Sequence, residues 1–127
     1  MAIRTELSLR LPNSPAALAG VCRLLSNERV NILALGLDPS GQLRLIVDNT
    51  LHAVSVLREH HHVVTEKPAI VLALANGPGA LAKTLTLVAQ AGANVDYAYG
   101  GAADGATGAA VVLGVDDAQR VAARAGV

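Results

Sequence analysis

The sequence predicts an α+β chain: two βαββαβ units in tandem, each an antiparallel sheet with helices on one face, the second lacking most or all of its last strand. Two observations predict it. Sliding the chain by 63 residues lays Leu9 to Ile32 on Leu72 to Val95 with nine identities in 24 positions. Chance would give about one or two, and self-similarity of this kind marks a duplicated structural unit. The second observation is the change of hydrophobic period inside each copy, from two residues to 3.6 and back. The two units are expected over residues 1–67 and 68–127.

In the first copy Leu7, Leu9 and Leu11 alternate with Ser8 and Arg10, as in a half-buried strand, and Ile70 to Leu74 is the apolar counterpart. A loop follows in both. Asn13 and Asn76 suit a helix N-cap, and Pro15 and Pro78 suit the first helical turn, where a missing N–H costs nothing. Leu18, Val21, Cys22 and Leu25 then fall on one helical face, as do Leu81, Leu85 and Val88, which places Cys22 in the core. Gly92 suits the left-handed position that ends the second of these helices. Arg29 stands there in the first, so that end must be made differently.

Asn31 to Leu37 and Gln42 to Asp48 make a hairpin about the turn Asp38-Pro39-Ser40-Gly41. Leu51, Val54, Leu57 and Arg58 recur at helical spacing between Asn49 and His60, and Val63 to Glu66 closes the unit as a strand. The second copy repeats this with a strand from Asn94 to Gly100, a glycine-rich loop, a strand from Ala109 to Val115 and a helix from Asp116. Its fourth strand is left absent, shortened or filled by another segment. The order is that of the split-βαβ, ferredoxin-like plan.

Composition removes several function classes. Hydrophobic residues make up 52% and charged residues 16% of 127 positions, with no apolar run long enough for a membrane span, so a soluble, globular protein is expected. Ten Lys+Arg balance ten Asp+Glu without a basic block, and aromatics fall to Tyr97 and Tyr99, so neither the charge nor the stacking platform of a nucleic-acid binder is present. A single Cys22 excludes an internal disulfide and any CxxC site. The N-terminus has no signal-peptide pattern, and the cytoplasm is the expected location. No GxSxG elbow, P-loop or GxGxxG follows a strand, so no enzyme and no cofactor is expected.

The segment Asn76-Gly77-Pro78-Gly79-Ala80-Leu81, followed by Gly92-Ala93-Asn94-Val95, resembles the loop and strand entry of the ACT domain, a βαββαβ module that binds amino acids or similar effectors. The first copy keeps Asn13, Pro15, Leu18, Asn31 and Ile32 and has Ala16 where the loop glycine would stand. The whole chain resembles a stand-alone tandem-ACT protein. That resemblance implies a non-catalytic regulator that binds an amino acid or related metabolite in trans-unit sites, the helix-start loop of one unit facing the second strand of the other. The candidate ligand-binding residues are Asn13, Ser14, Ala16, Asn76, Gly77, Gly79, Ala80, Asn94, Asp96 and Tyr97.

Independently of the resemblance, a helix start offers unpaired N–H groups and partial positive charge to a carboxylate, and glycines let a ligand approach the backbone. The Asn oxygens or Asp96 could accept from an ammonium. Gly79→Val is accordingly expected to abolish binding with the fold intact. The alternative reading is an interaction subunit of an amino-acid metabolic enzyme, without an essential ligand of its own.

Other residues have plain readings. His60, His61 and His62, with His52 on the same helix, suit a solvated helix end better than a metal site, because adjacent residues do not share a face. Tyr97 and Tyr99 are either core fillers or a pocket wall, and Arg10, Arg44 and Arg58 are surface charges. Leu33, Leu35 and Leu37 oppose Ile32, Ala34 and Gly36, and the strand at Val71 is likewise apolar on both sides. A dry open sheet face predicts a homodimer or larger assembly, disrupted by Leu35→Glu.

Overall fold

The computed structural model describes residues 2–126. Its elements are β1 (Ala2–Arg10), α1 (Ala17–Asn27), β2 (Ile32–Leu37), β3 (Gln42–Val47), α2 (Thr50–Glu59), β4 (Thr65–Ala75), α3 (Ala80–Gln90), β5 (Val95–Gly101), β6 (Gly108–Val115) and α4 (Ala118–Ala125). They separate into two compact units, one of residues 5–67 and the other of residues 68–126 together with residues 2–4.

In the first unit the strands run in the antiparallel order β2-β3-β1, with Leu7 opposite Leu45, Leu9 opposite Leu43, Leu35 opposite Leu45 and Leu37 opposite Leu43. Leu7, Leu9, Leu43 and Leu45 are buried against Val21 and Leu25 of α1 and Ala53, Val54 and Leu57 of α2. Each such leucine contributes roughly 1.5–3 kcal/mol by leaving water. The helical stripe of α2 is rotated from its expected position. Leu51 is 85% exposed, whereas Ala53 and Val56 are buried.

Register also changes the face expected of two leucines. Leu35 and Leu37 point to the helix-covered side, beyond its cover at the sheet edge, where they are 43% and 45% exposed. Side chains of paired residues share a face, so the opposite face of this unit is mixed, with Ser8, Arg44 and Gly36 beside Ala34 and the buried Ile46. Leu33 lies at the irregularity between Ile32 and Ala34 and is 48% exposed.

In the second unit β4, β6 and β5 pair in that order, all antiparallel. Ile70, Leu72, Leu113 and Val115 form its core with Val88, Ala118 and Val121, and Ile3 from β1 packs against them. Of the three possibilities for the short second copy, the structure takes the third, since residues 2–4 complete it. On the face away from the helices Tyr97 lies opposite Gly114 and Tyr99 opposite Val112, their rings stacked with centroids 6.4 Å apart. Glycine at 114 leaves room for the Tyr97 ring, which a Cβ there would displace.

Both helix ends in the repeat close through a left-handed residue. Gly92 has φ 82° and Arg29 has φ 58°, with Arg29 N–H donating to the Ser26 carbonyl at 3.0 Å and Val30 N–H to Leu25 at 2.9 Å. The first end is therefore made in the same way as the second, at a steric cost that glycine avoids. Cys22 is half-buried rather than enclosed in the core. No helix of the described residues is long and apolar enough to cross a membrane.

Candidate functional site

The four helices begin in two different ways. At α2 the Asn49 side chain accepts from His52 N–H at 3.2 Å, and at α4 the Asp117 side chain accepts from Arg120 N–H at 3.3 Å. At α1 and α3, the helices of the duplicated loops, the N-cap positions are Ala16 and Gly79 and no side chain caps either start. Asn13 and Asn76 therefore are not N-caps. Each helix begins later, at Ala17 and Ala80, beyond the reach of the asparagine three residues ahead of the cap. First-turn N–H groups without an intrahelical partner need an acceptor from outside, and a carboxylate is one that the helix dipole also favours.

In the first copy the loop is part of an enclosure. Asn13, Ser14, Ala17 and Leu18 line a cavity of about 130 Å³ whose far wall is the β2–β3 turn, with Leu37, Asp38, Pro39 and Gly41. Ala16, the N-cap residue, lines a neighbouring groove with Gly20 and Val21. Asp38 is the wall residue with the most defined chemistry. Its carboxylate accepts from the Ser40 hydroxyl, from Ser40 N–H at 2.9 Å, from Gln42 N–H at 3.2 Å and from Arg44 at 3.3 Å. These bonds, that from the Ser40 hydroxyl foremost, hold the group below the ordinary carboxylate range although some desolvation opposes them. Arg44 is thus the partner of Asp38 rather than a lone surface charge. Arg10 donates to the Ser40 carbonyl at 2.6 Å, and Arg58 donates to the Val64 carbonyl at 3.2 Å.

The second copy has the same motif in a different setting. Asn76 donates its side-chain amide to the Ala106 carbonyl at 2.7 Å and its backbone N–H to Thr107 at 3.1 Å, which ties the loop to the glycine-rich connection after β5. Gly77 and Gly79 are exposed, and a Cβ added at either would meet nothing within 4 Å. They differ in backbone. Gly79 has φ 85°, whereas Gly77 is outside the left-handed region. A β-branched residue at position 79 is strained whatever the space around it, so Gly79→Val does not leave the fold untouched as expected.

Asn76, Gly77, Gly79 and Ala80 thus share one loop, next to the Ala75–Gly108 end of the sheet. Tyr97 pairs with Gly114, six residues along β6, which places Asn94, Asp96 and Tyr97 roughly 20 Å away in the same unit at about 3.4 Å per residue. Within that unit the candidates form two separate groups. The Asp38 wall escaped the sequence reading, where Asp-Pro-Ser-Gly signals only a turn; nothing local tells a turn from a turn that faces a helix start.

Three comparisons bear on this geometry. No family model matches the chain, and no curated protein matches its sequence. Solved structures do. Protein BT0572 from Bacteroides thetaiotaomicron is 28% identical, with a TM-score of 0.86 over 96% of this chain and 85% of that one. The ligand-free regulatory subunit of aspartate kinase from Thermus thermophilus is 17% identical, with a TM-score of 0.67 over 99% and 96%. A putative C-terminal regulatory domain of aspartate kinase from Porphyromonas gingivalis is 13% identical, with a TM-score of 0.67 over 98% and 92%.

The fold is ACT-like. The two uncapped helix starts are the β1–α1 and β4–α3 turns of these ACT-like units, and Asp38 sits on the β2–β3 turn of the first.

Proposed function

We propose that this chain is a non-catalytic regulator that senses an amino acid or a closely related metabolite at the helix-start loops of its ACT-like units. One observation carries the reading. Of four helices, the two in the duplicated motif are the two whose starts have no side-chain cap, whereas α2 and α4 are capped by Asn49 and Asp117. A missing cap costs about 1 kcal/mol at Ala16 and a few tenths at Gly79. A ligand carboxylate offsets that cost by accepting from the free N–H groups. In the first unit Asp38, kept ionised and paired with Arg44, lines the same cavity and offers a carboxylate oxygen as a further acceptor to an α-ammonium. The volume of about 130 Å³ is well under the roughly 300–1,000 Å³ of pockets for drug-sized molecules and suits a small zwitterion. The second unit offers Gly77, Gly79 and Ala80 in a more open loop.

Thermal-shift measurements across the twenty amino acids test this. A ligand at about 100 times its Kd adds roughly 2.7 kcal/mol of stability, and Asp38→Asn weakens the response. Absence of any shift overturns the sensor reading.

A second reading has its own support. Two of the similar structures are regulatory subunits of aspartate kinase and one contains aspartokinase alpha and beta subunits, so the chain would dock on an amino-acid metabolic enzyme with no essential ligand. Co-purification with such an enzyme, unaffected by Asp38→Asn, is its signature. Both readings place the protein in the cytoplasm and as a homodimer, the latter because Leu33, Leu35 and Leu37 lie exposed along the edge strand β2. Sedimentation at low micromolar concentration decides the assembly, since a monomer there overturns it.

A further inference from the structure

A groove of about 370 Å³ lies in the first unit, beside the β2–β3 turn, where the end of β1 and the start of β3 meet the connection from α2 to β4. Its polar lining is Ser8, Arg10, Gln42, His61, His62 and Thr65, with two apolar residues completing it. Every polar side chain in that set can donate a hydrogen bond, and no carboxylate is among them. We propose that this groove binds a tetrahedral oxyanion, of the phosphate or sulfate type.

The donors outnumber the acceptors in the groove. Arg10 engages the Ser40 carbonyl through Nη1 at 2.6 Å, and a guanidinium has five donors in all, so others remain. Two adjacent histidines enter this groove from one loop, and each ring brings a donor. The other charged groups on the surrounding elements are of both signs. On β3, Arg44 is paired with Asp38 at 3.3 Å; between α2 and β4, Arg58 and Glu66 are 3.8 Å apart; Glu6, buried two residues before Ser8 on β1, and Glu59 at the end of α2 stand against Lys67 on β4. Donors arrive from β1, β3, β4 and the connecting loop, which suits an anion with acceptor oxygens in several directions better than a planar carboxylate. His61 has φ 68°, and its N–H donates to the Arg58 carbonyl at 3.0 Å as the left-handed residue that ends α2. That fixes the loop which presents both rings.

Sulfate is the probe. Calorimetry on the full chain at fixed ionic strength is expected to show saturable binding that Arg10→Gln weakens about tenfold, the loss of a charge-assisted hydrogen bond. The double variant His61→Asn, His62→Ala weakens it too; asparagine tolerates the left-handed backbone at position 61, so the loop survives. In histidine-resolved NMR, the His61 and His62 signals move saturably with sulfate while that of His52 does not. Binding undiminished in Arg10→Gln or in the double variant, or equal movement of all histidine signals, overturns the assignment.

Discussion

Two glycines two positions apart in the β4–α3 loop should move stability in opposite directions when changed to alanine. Gly79 has φ 85°, and a Cβ in that region costs roughly 1–2 kcal/mol. Alanine also restricts the unfolded chain, which returns about 0.4–1 kcal/mol. The net for Gly79→Ala is thus a loss of about 1 kcal/mol. At Gly77 the backbone is outside the left-handed region and a Cβ meets no atom within 4 Å, so only the favourable term remains and Gly77→Ala gains about 0.4–1 kcal/mol. For a chain of this size 1 kcal/mol corresponds to about 4 °C in Tm. Differential scanning calorimetry should therefore find Gly79→Ala about 4 °C below wild type and Gly77→Ala about 2–4 °C above it. A Gly79→Ala protein as stable as wild type would refute the backbone argument. The same pair separates strain from ligand obstruction, because Gly77→Ala places a methyl group in the open loop with no strain to confuse the readout.

Three further outcomes follow from the geometry. Asp38 is held below the ordinary carboxylate range by its hydrogen bonds, so the stability it contributes is complete above the unfolded pKa of about 3.9 and is lost as pH falls through the lower folded value; thermal melts between pH 5 and pH 2 should show Asp38→Asn with a shallower acid decline than wild type. Gly114→Ala pushes a methyl group into the Tyr97 ring and should cost about 1–3 kcal/mol in urea unfolding, with the cost largely absent when Tyr97 is also alanine. Arg29→Gly relieves a left-handed arginine at φ 58° and should raise stability by about 0.5–1 kcal/mol in the same assay, a gain that would not appear if the α1 end were free to reclose another way.

The duplication and the order of elements were legible because they rest on period and on turn residues, which act locally. Leu7, Leu9, Val21 and Leu25 were assignable to one core from spacing alone, and they pack together. What was not legible depends on register or on distant chain segments. Leu35 alternates correctly, yet the face it takes is fixed by its pairing with Leu45, and that pairing is invisible without β3. Completion of the second unit by residues 2–4 joins the two ends of the chain, and no window of sequence contains both. The asparagines misled for a related reason. Asn13 and Asn76 have the chemistry of a cap, but each lies three residues before the actual cap position, and Asn76 satisfies a loop carbonyl instead.

The two copies of the motif also show why a closer match to a pattern is not a better-built site. Asn-Gly-Pro-Gly gives the second loop its open backbone, and openness is what glycine supplies: access, without walls. The first loop replaces that glycine with Ala16, which sits at φ −93° in an ordinary helical conformation, and it keeps a short turn, Asp38 to Gly41, that closes over the helix start. In the second copy the corresponding connection is the longer run from Gly101 to Gly108, and it is anchored to Asn76. An acceptor for a ligand's ammonium needs a fixed carboxylate, and Asp38 is fixed by four hydrogen bonds. If the chain is the proposed sensor, discrimination among small zwitterions is expected of the first copy, whose loop departs from the motif, because selectivity comes from groups that cannot move away from the wrong ligand; Asp38→Asn should then flatten the amino-acid preference seen in thermal shifts, and Gly77→Ala should leave it unchanged.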